Sequence, residues 1–311
     1  MKGLELSQKY YEEYGKPMIH LKFPEYEGVI AAGLTGAGSE CFGFDDEISR
    51  DHDFDMGFCL FIPGEDVVDS RTQFQLERAY AKLPSEFEGI TRMKISPVGG
   101  NRRGVIRAAD FFAAKTGHED GQLSVTDRFK IPDEYLAEAV NGKIFRDDTG
   151  YFTAVREQIK AIPDDVIYKK LAGHLLLCAQ SGQYNFRRCI GHGEPHAASL
   201  CKYEFINNAC ACLFLLKREY MPYYKWRFRA MEKFTDMAET TEKLTELLDI
   251  DENDKKAQYD KTEDICADII SYLKAQGITD AVCLDLEKHA YSVNDKVRDA
   301  SLRNESIFYG V

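Results

Sequence analysis

An acidic segment joins two apolar stretches near the start of this chain. The segment GAGSECFGFDDEISRDHDFDMGFCLFI, residues 36–62, carries seven acidic residues. It follows the apolar stretch GVIAAGLT and ends in a continuous apolar run from Met56 to Ile62, which Pro63 and Gly64 close. A short apolar run bounded by glycine and proline is typical of a buried strand. We therefore predict two strands joined by a glycine-rich, acidic connection.

The rest of the first half mixes helix and strand patterns. Residues 69–83 and the segment PDEYLAEAV have helical periodicity, the latter with proline in its first turn. Three further segments have the composition of short strands, namely ITRMKISPV, GVIRAADFF and GKIFRDDTG. We predict an N-terminal α/β domain over residues 1–150, built on a mixed sheet with flanking helices.

Strand patterns are almost absent from the sequence after Gly150. Helical periodicity instead recurs to the end of the chain, which predicts an all-helical second domain over residues 151–311. The fold class is therefore α+β, with an N-terminal mixed sheet and a C-terminal helical bundle. The predicted helices of the second domain are 151–160, 164–180, 197–219, 222–247, 257–275 and 279–296.

Composition restricts the classes of function. The formal net charge of −12 argues against a protein that coats nucleic acid, because that task needs a broad basic surface. No segment is long and apolar enough to predict a signal peptide or a membrane span. Nine scattered cysteines do not predict a disulfide framework, and their spacings do not match a structural zinc site. We expect a cytoplasmic protein with reduced thiols.

The acidic segment has the composition of a metal site. Asp51, Asp53 and Asp55 alternate, so in a strand their carboxylates would project from one face, where mutual repulsion favours a bound divalent cation. Upstream, Gly38 and Ser39 would allow the backbone and a hydroxyl to approach a phosphate closely. The alternative is a solvated acidic loop, partly neutralised by Arg50 and His52. The coincidence of the glycine-serine pair, the alternation and the flanking strands favours magnesium and a phosphate.

These motifs resemble those of a known superfamily. The Gly38-Ser39 pair after a strand, then about a dozen residues and an Asp-x-Asp motif at the next strand, resembles the nucleotidyltransferase superfamily with its polymerase-beta-like fold. Together with GQYNFRR and YMPYYKWRFRA, the chain resembles an uncharacterised bacterial family of nucleotidyltransferase-like proteins with a helical C-terminal half. The resemblance extends over most of the chain.

The resemblance implies an activity and site residues. Asp51 and Asp53 would be catalytic ligands of Mg²⁺, and Ser39 with Gly38 would bind the phosphates of a nucleoside triphosphate, most simply ATP. AMP would pass to an unidentified small-molecule or macromolecular acceptor. A non-catalytic nucleotide-binding or regulatory module on the same fold is the alternative, and an enzyme that modifies a partner protein is a third reading.

The resemblance also implies a third carboxylate that activates the acceptor hydroxyl. Its expected strand, GVIRAADFF, has arginine at its centre. Asp110, Asp127 and Asp147 are the substitutes, of which we favour Asp127 as the catalytic base. Asp55 is a further source of negative charge.

Basic and aromatic residues recur together in the helical half. The stretches SGQYNFRRC and KREYMPYYKWRFRAMEKF contain Arg188, Lys225 and Arg229 beside tyrosines and Trp226. We expect these cations to bind the triphosphate or an anionic acceptor in a cleft between the domains, because magnesium alone does not neutralise four phosphate charges and two aspartates. The alternative is an interhelical aromatic core with arginine and lysine side chains at its edge.

Overall fold

The computed structural model describes residues 1–48, 54–92 and 102–311. The predicted metal ligands Asp51 and Asp53 lie outside the described residues. Contacts divide the chain into two compact units. The first comprises Met1–Ser124 and Tyr135–Ala161, and the second comprises Val125–Glu134 and Ile162–Val311.

A four-stranded mixed sheet forms the centre of the first unit. Its strands are β1 (Ala31–Leu34), β2 (Cys59–Ile62), β5 (Gly104–Arg107) and β6 (Lys143–Arg146), in the order β5-β2-β1-β6. Strand β1 is antiparallel to β2 and β6, whereas β2 is parallel to β5. A separate two-stranded ladder consists of β3 (Glu86–Phe87) and β4 (Ile90–Thr91). The two predicted strands are confirmed as an antiparallel pair, with Ala31 paired to Phe61, but their connection contains a short helix, Ser39–Phe42, and is not a simple turn.

Helices surround this sheet. They are α1 (Gly3–Tyr10), α2 (Lys16–Lys22), α3 (Ser39–Phe42), α4 (Ser70–Ala81), α5 (Ala108–Thr116), α7 (Asp133–Val140) and α8 (Tyr151–Lys160). A π-helical turn, Tyr11–Gly15, connects α1 to α2. Helix α7 begins at two residues of the second unit and continues into the first.

The two faces of β2 are buried in different aromatic clusters, which explains its unbroken apolar sequence. Leu60 and Ile62 share one face and belong to the core around Tyr10. Phe61 lies on the other face, where its ring centroid is 5.1 Å from Phe111 and 4.0 Å from Phe152. The central strand is therefore covered on both sides within the first unit.

One strand prediction in this unit is wrong over half its length. The segment GVIRAADFF is a strand only to Arg107, and helix α5 begins at Ala108. The β-branched residues end at Ile106, and the alanines that follow have high helix propensity. The predicted strand ITRMKISPV is described only in its first three residues, of which Ile90 and Thr91 form β4.

Helix α8 belongs to the first unit, although we predicted it as the first helix of the second domain. Phe152, Val155 and Ile159 are buried, and Val155 lies against Gly121. The unit therefore extends to Ala161 rather than to residue 150, and the segment Val125–Glu134 groups with the helices that follow. These attachments depend on tertiary packing, which helical periodicity does not report.

In the second unit, helices joined by turns and loops make up residues 162–311, all of which are described, and no strand occurs there. This agrees with the predicted helical second half. Its helices are α6 (Val125–Lys130), α9 (Asp164–Cys178), α10 (Phe186–Gly191), α11 (Pro195–Leu216), α12 (Arg227–Met231), α13 (Ala238–Asp249), α14 (Lys255–Ala275), α15 (Leu286–Asn294) and α16 (Ala300–Asn304).

Three helix predictions in this unit need correction. Helix α9 passes into a π-helical segment, Ala179–Asn185, before α10. The predicted helix over 222–247 is broken, with α12 and α13 separated by a turn in which the buried Phe234 packs 5.1 Å from Phe214. Helix α15 begins only at Leu286, because the Asp285 side chain accepts a hydrogen bond from Glu287 N and caps it.

Helices α9 and α11 are largely buried. Leu171, Leu175, Phe205 and Cys212 have no more than trace exposure. Burial on several faces explains why the C-terminal part of α11, from Ala209 to Leu216, is apolar all round. Among the described residues, no helix combines the length and the apolarity that crossing a membrane requires.

Candidate active site

The turn after β1 is held by an asparagine from the end of α7. Asn141 Oδ1 accepts hydrogen bonds from Gly36 N at 2.9 Å and from Thr35 Oγ1 at 3.0 Å. Its Nδ2 donates to Gly36 O at 2.8 Å. The amide side chain thus satisfies both backbone polar groups of Gly36, and the start of the Gly38-Ser39 turn is fixed.

Gly38 requires glycine for two separate reasons. Its φ is +123°, a conformation that L residues rarely adopt. A Cβ atom at this position would also stand 2.5 Å from Glu40 Oε1 and 2.6 Å from Glu40 Oε2. The carboxylate of Glu40 therefore lies directly against the Gly38 backbone. The sequence interpretation assigned this close approach to a phosphate, and in the structure an internal carboxylate makes it.

Glu40 forms a buried ion pair with Arg103. Arg103 Nη2 donates to Glu40 Oε1, and the two side chains are 10% and 7% exposed, respectively. Burial lowers the pKa of Arg103, but neighbouring Cys41 and Glu40 outweigh it and raise the pKa overall. The guanidinium is a fixed cation beside the Gly38-Ser39 turn.

Sequence reasoning missed this role of Arg103. From its composition, the segment GGNRRG between two predicted strands indicates only a basic hairpin turn. Residue 103 directly precedes β5, whose first residue pairs with Cys59 in a parallel ladder. An arginine immediately before a buried strand was the available signal, because its head group then lies at the end of the sheet.

The thiols beside Arg103 are uncharged near neutral pH. Burial raises the pKa of Cys41 to about 12 and that of Cys59 to about 11. Cys41 Sγ donates to Ala37 O at 3.5 Å, and Cys59 Sγ donates to Arg102 O at 3.3 Å. Cys41 and Cys59 therefore lie beside Arg103 as neutral thiols. A protonated, buried thiol is not a nucleophile.

The acidic segment is only partly a solvated loop. Asp46 and Glu47 are exposed, whereas Glu40 and Asp45 are buried. Asp45 Oδ2 accepts a hydrogen bond from Gly3 N at 2.8 Å, and its main-chain oxygen accepts one from Lys2 Nζ at 2.6 Å. Asp45 thus attaches the segment to the start of α1, which is a structural role.

Asp55 lies at the site end of the same segment. Its Oδ1 accepts a hydrogen bond from Gly57 N at 2.9 Å. Burial raises the pKa of Asp55, although the Gly57 hydrogen bond and the charges of Arg103 and Arg92 oppose the shift. Asp55, Arg103 and Glu40 therefore form one electrostatically connected group.

The metal assignment to Asp51 and Asp53 remains a prediction, since both residues lie outside the described ranges. Within residues 1–48, 54–92 and 102–311, no group of three histidine, cysteine or acidic side chains is arranged to hold a metal ion. The donor set predicted from the sequence, aspartate oxygens, is the one that magnesium prefers.

The candidates for the third carboxylate have different surroundings. On β5, Arg107 donates to Pro63 O at 2.9 Å and to Val68 O at 3.1 Å, so this position serves the fold. Asp147 Oδ2 accepts from Thr153 N at 2.7 Å in the first turn of α8. Asp110 is exposed on α5. Asp127 lies on α6, in the second unit, and its assignment as the base remains a prediction.

The predicted phosphate-binding cations all belong to the second unit. The Arg188 guanidinium lies 5.2 Å from the Tyr184 ring centroid, and Lys225 Nζ lies 4.7 Å from that of Trp226. Arg229 is on α12. Lys225 stands in a 3₁₀ turn, Tyr224–Trp226, and not in the helix that we expected from Pro222. Their role in nucleotide binding remains a prediction.

A cavity of about 560 Å³ opens within the second unit, beside the π-helical segment. Gln183 lines this cavity. Its Nε2 donates hydrogen bonds to Glu263 Oε2 at 2.8 Å and to Leu284 O at 3.0 Å. Its Oε1 accepts from Leu286 N at 2.9 Å. The polar groups here connect three segments of the helical unit, and Tyr184 and Tyr259 also line the cavity.

Comparison with known proteins gives one family match. Residues 129–227 match a domain of unknown function, DUF4037, over about a third of the chain. The matched range includes Arg188 and Lys225 but not Gly38, Ser39 or Asp55. No curated protein and no solved structure shows significant similarity to the chain.

Proposed function

We propose that the protein is a magnesium-dependent nucleotidyltransferase. It transfers a nucleoside monophosphate, AMP from ATP, to a hydroxyl or similar group of an acceptor that is not yet identified. The fold that goes with this activity is a nucleotidyltransferase-like arrangement of the mixed sheet. Its phosphate turn is Gly38-Ser39, and the acidic segment before β2 supplies the metal ligands.

One observation carries the proposal. Strand β1 leads through Gly38, at a φ of +123°, into Ser39, and the chain then returns as β2 antiparallel to β1. The same return brings Asp55 into the electrostatic neighbourhood of Glu40 and Arg103. A glycine turn, the Asp55 carboxylate in the segment before β2 and a buried guanidinium thus lie in one region of the first unit. Phosphoryl chemistry depends on such positioned charges rather than on covalent catalysis.

Asp51 and Asp53 would hold the magnesium ion in this proposal. When bound, the ion would orient the triphosphate and neutralise charge that develops as pyrophosphate leaves. Ser39 would donate its hydroxyl to the β- and γ-phosphates, and the turn at Gly38 would let backbone N–H groups approach them. Asp127 would accept the proton of the attacking hydroxyl.

Product analysis with labelled nucleotide tests the proposal. ATP labelled in the α-phosphate is incubated with the protein, magnesium and a cell extract separated into small-molecule and macromolecular fractions, and γ-labelled ATP is used in parallel. Nucleotidyl transfer places the α-label on an acceptor and releases the γ-label as pyrophosphate. A γ-label on the acceptor would instead identify a kinase, and label on a polypeptide would identify a protein-modifying enzyme. The matched control contains EDTA in place of magnesium.

The second candidate is a non-catalytic nucleotide-binding or regulatory module. The observation that favours it is Arg107, which stands on β5 where a catalytic carboxylate is expected and is bound to Pro63 O and Val68 O. Such a protein would bind ATP and magnesium but release no pyrophosphate with any acceptor. Calorimetric binding combined with the labelling experiment distinguishes the two functions.

A further inference from the structure

One oxygen of Glu40 is held between a backbone turn and a guanidinium. Glu40 Oε1 accepts from Arg103 Nη2 and is also the atom that a Cβ on Gly38 would meet, at 2.5 Å. The carboxylate is thus an anion on the Gly38 turn, bound by a cation whose side chain is 10% exposed. The ion pair joins residues 63 positions apart in sequence.

We infer that Glu40 is an internal occupant of a phosphate-binding position and that a phosphate group of the triphosphate takes its place on Arg103. This inference rests on the proposed function for the identity of the ligand and deepens it. Arg103 becomes a binding residue for the substrate, and Glu40 becomes the group that competes with the substrate for it.

The hydrogen-bonding state of Arg103 supports the exchange. A guanidinium has five N–H donors. In the described part of the chain, Arg103 Nη1 donates to Arg102 O at 3.3 Å, Nη2 donates to Glu40, and the buried Nε has no acceptor. A buried donor without an acceptor is destabilising. A phosphate offers more acceptor oxygens than the single carboxylate oxygen now used, and arginine binds phosphate in a bidentate manner.

The surroundings of Arg103 suit an anion. Cys41 and Cys59 lie beside Arg103 as neutral thiols. Among the described residues, the charges that act on Asp55 are those of Arg103 and Arg92, which attract a phosphate, and that of Glu40, which repels one, as Asp55 itself does. Displacement of Glu40 takes its repelling charge away from Arg103 as the phosphate binds. Low exposure strengthens the remaining attraction to Arg103, because water screens it less.

The test uses tripolyphosphate as the probe, with EDTA present, so that neither magnesium nor a nucleoside contributes. Affinity is measured by isothermal calorimetry on the full chain. Glu40→Gln keeps the shape of the side chain and removes its charge, so we expect binding to tighten by about tenfold or more, which is the size of one charge-assisted hydrogen bond. Unchanged or weaker binding by folded Glu40→Gln protein overturns the inference.

Glu138→Gln is the matched control. Glu138 forms an ion pair with Lys115 in the same unit, with side chains 17% and 19% exposed. It makes the same change in net charge at a different ion pair, so affinity for tripolyphosphate should stay within about twofold of the wild-type value. An equal gain in both variants would show a general effect of net charge and would also overturn the inference.

Arg103 is tested in the background of Glu40→Gln. Arg103→Gln alone leaves the Glu40 carboxylate buried without its partner, and this variant is expected to be destabilised. The double variant Glu40→Gln with Arg103→Gln has no buried charge at either position, and it should lose the affinity gained by Glu40→Gln. Retention of the gain in the double variant would show that tripolyphosphate binds elsewhere and would refute the assignment.

The outcome is separable from the proposed function. If the variants bind tripolyphosphate as expected but the protein transfers no nucleotide, the phosphate site at Arg103 stands and the transferase function is refuted. If the protein transfers AMP but its affinity for tripolyphosphate does not change on substitution of Glu40 or Arg103, the proposed activity stands and the exchange between Glu40 and phosphate is refuted.

Discussion

The Phe152 ring stacks on the Phe61 ring, with centroids 4.0 Å apart and planes inclined by 21°. Phe61 lies at the centre of the sheet on β2, and Phe152 is in the first turn of α8. Both side chains are 1% exposed. This contact attaches α8 to the first unit and explains why a boundary at residue 150 would divide a hydrophobic core.

Phe152→Ala should destabilise the first unit by about 3–5 kcal/mol, the usual range for removing a buried phenylalanine and leaving a cavity. Urea unfolding followed by circular dichroism at several protein concentrations measures the change. Tyr151→Ala is the control, since the neighbouring Tyr151 side chain is 48% exposed and should change stability by less than about 1 kcal/mol. Equal effects of the two variants would show that α8 does not depend on the stacking.

Gly38→Val should weaken triphosphate binding more than Ser39→Ala does. Valine at residue 38 is strained at a φ of +123° and its side chain would enter the space of the Glu40 carboxylate. Ser39→Ala removes one hydroxyl donor, worth about 1.5–3 kcal/mol to a charged acceptor. Calorimetry with ATP and magnesium makes the comparison.

Gly43→Ala is the control for strain at a glycine. Gly43 has a φ of +72° at the end of α3, and a Cβ there would meet no atom within 4 Å. The variant should lose about 1 kcal/mol of stability, because alanine is disfavoured in the left-handed region, without a change in ATP affinity. If Gly43→Ala lost as much ATP affinity as Gly38→Val, the effect at Gly38 would be explained by backbone strain alone.

Asp51→Asn combined with Asp53→Asn should abolish the magnesium dependence of ATP binding. Asparagine keeps the size of each side chain but removes the charge that attracts the ion. Calorimetry with and without magnesium is the measurement, and circular dichroism verifies the fold. Asp46→Asn combined with Glu47→Gln is the control, since both residues are exposed in the same acidic segment. Unchanged magnesium dependence in the first pair would exclude the metal assignment.

Glu252→Gln should destabilise the second unit in a pH-dependent way. Lys202 has a fully buried side chain and forms an ion pair with Glu252, which holds the pKa of Glu252 at about 2, below its ordinary 4.5. The expected loss at pH 7 is about 1–3 kcal/mol, towards the lower end because Glu252 is half exposed and water screens the pair.

The pH dependence follows from the lowered pKa. The folded state binds fewer protons than the unfolded state between pH 4.5 and 2, so this contribution is complete above pH 4.5 and is lost as the pH falls towards 2. The difference in unfolding free energy between wild-type protein and Glu252→Gln should therefore shrink over that interval. The control Glu157→Gln breaks the exposed pair with Lys160 and should change stability by less than about 1 kcal/mol at pH 7. A difference that stays constant down to pH 3 would contradict the account.

Patterns among neighbouring residues in the sequence correctly predicted several strands and helices. The apolar run before Pro63 became β2, the periodicity of residues 69–83 became α4 (Ser70–Ala81), and the helical repeat after Gly150 became a strand-free second half. Strand alternation and helical periodicity are properties of neighbouring residues, so they survive without knowledge of the fold. The break inside 222–247 and the late start of the helix predicted over 279–296 were missed, because a buried phenylalanine packs in the first and a capping aspartate begins the second.

In the candidate site, too, the sequence predicted the local features but not the contacts between distant residues. The conformation of Gly38 was predictable, because a glycine-serine pair after a strand indicates a turn with a close backbone approach. The partner that makes this approach was not, since Glu40 meets Arg103 only after β2 and β5 align in parallel. Sequence patterns determined where carboxylates, glycines and arginines stand along the chain. Tertiary structure alone decided which of them share a desolvated space, because the pairing of distant charges depends on strand register and on burial, neither of which a local pattern contains.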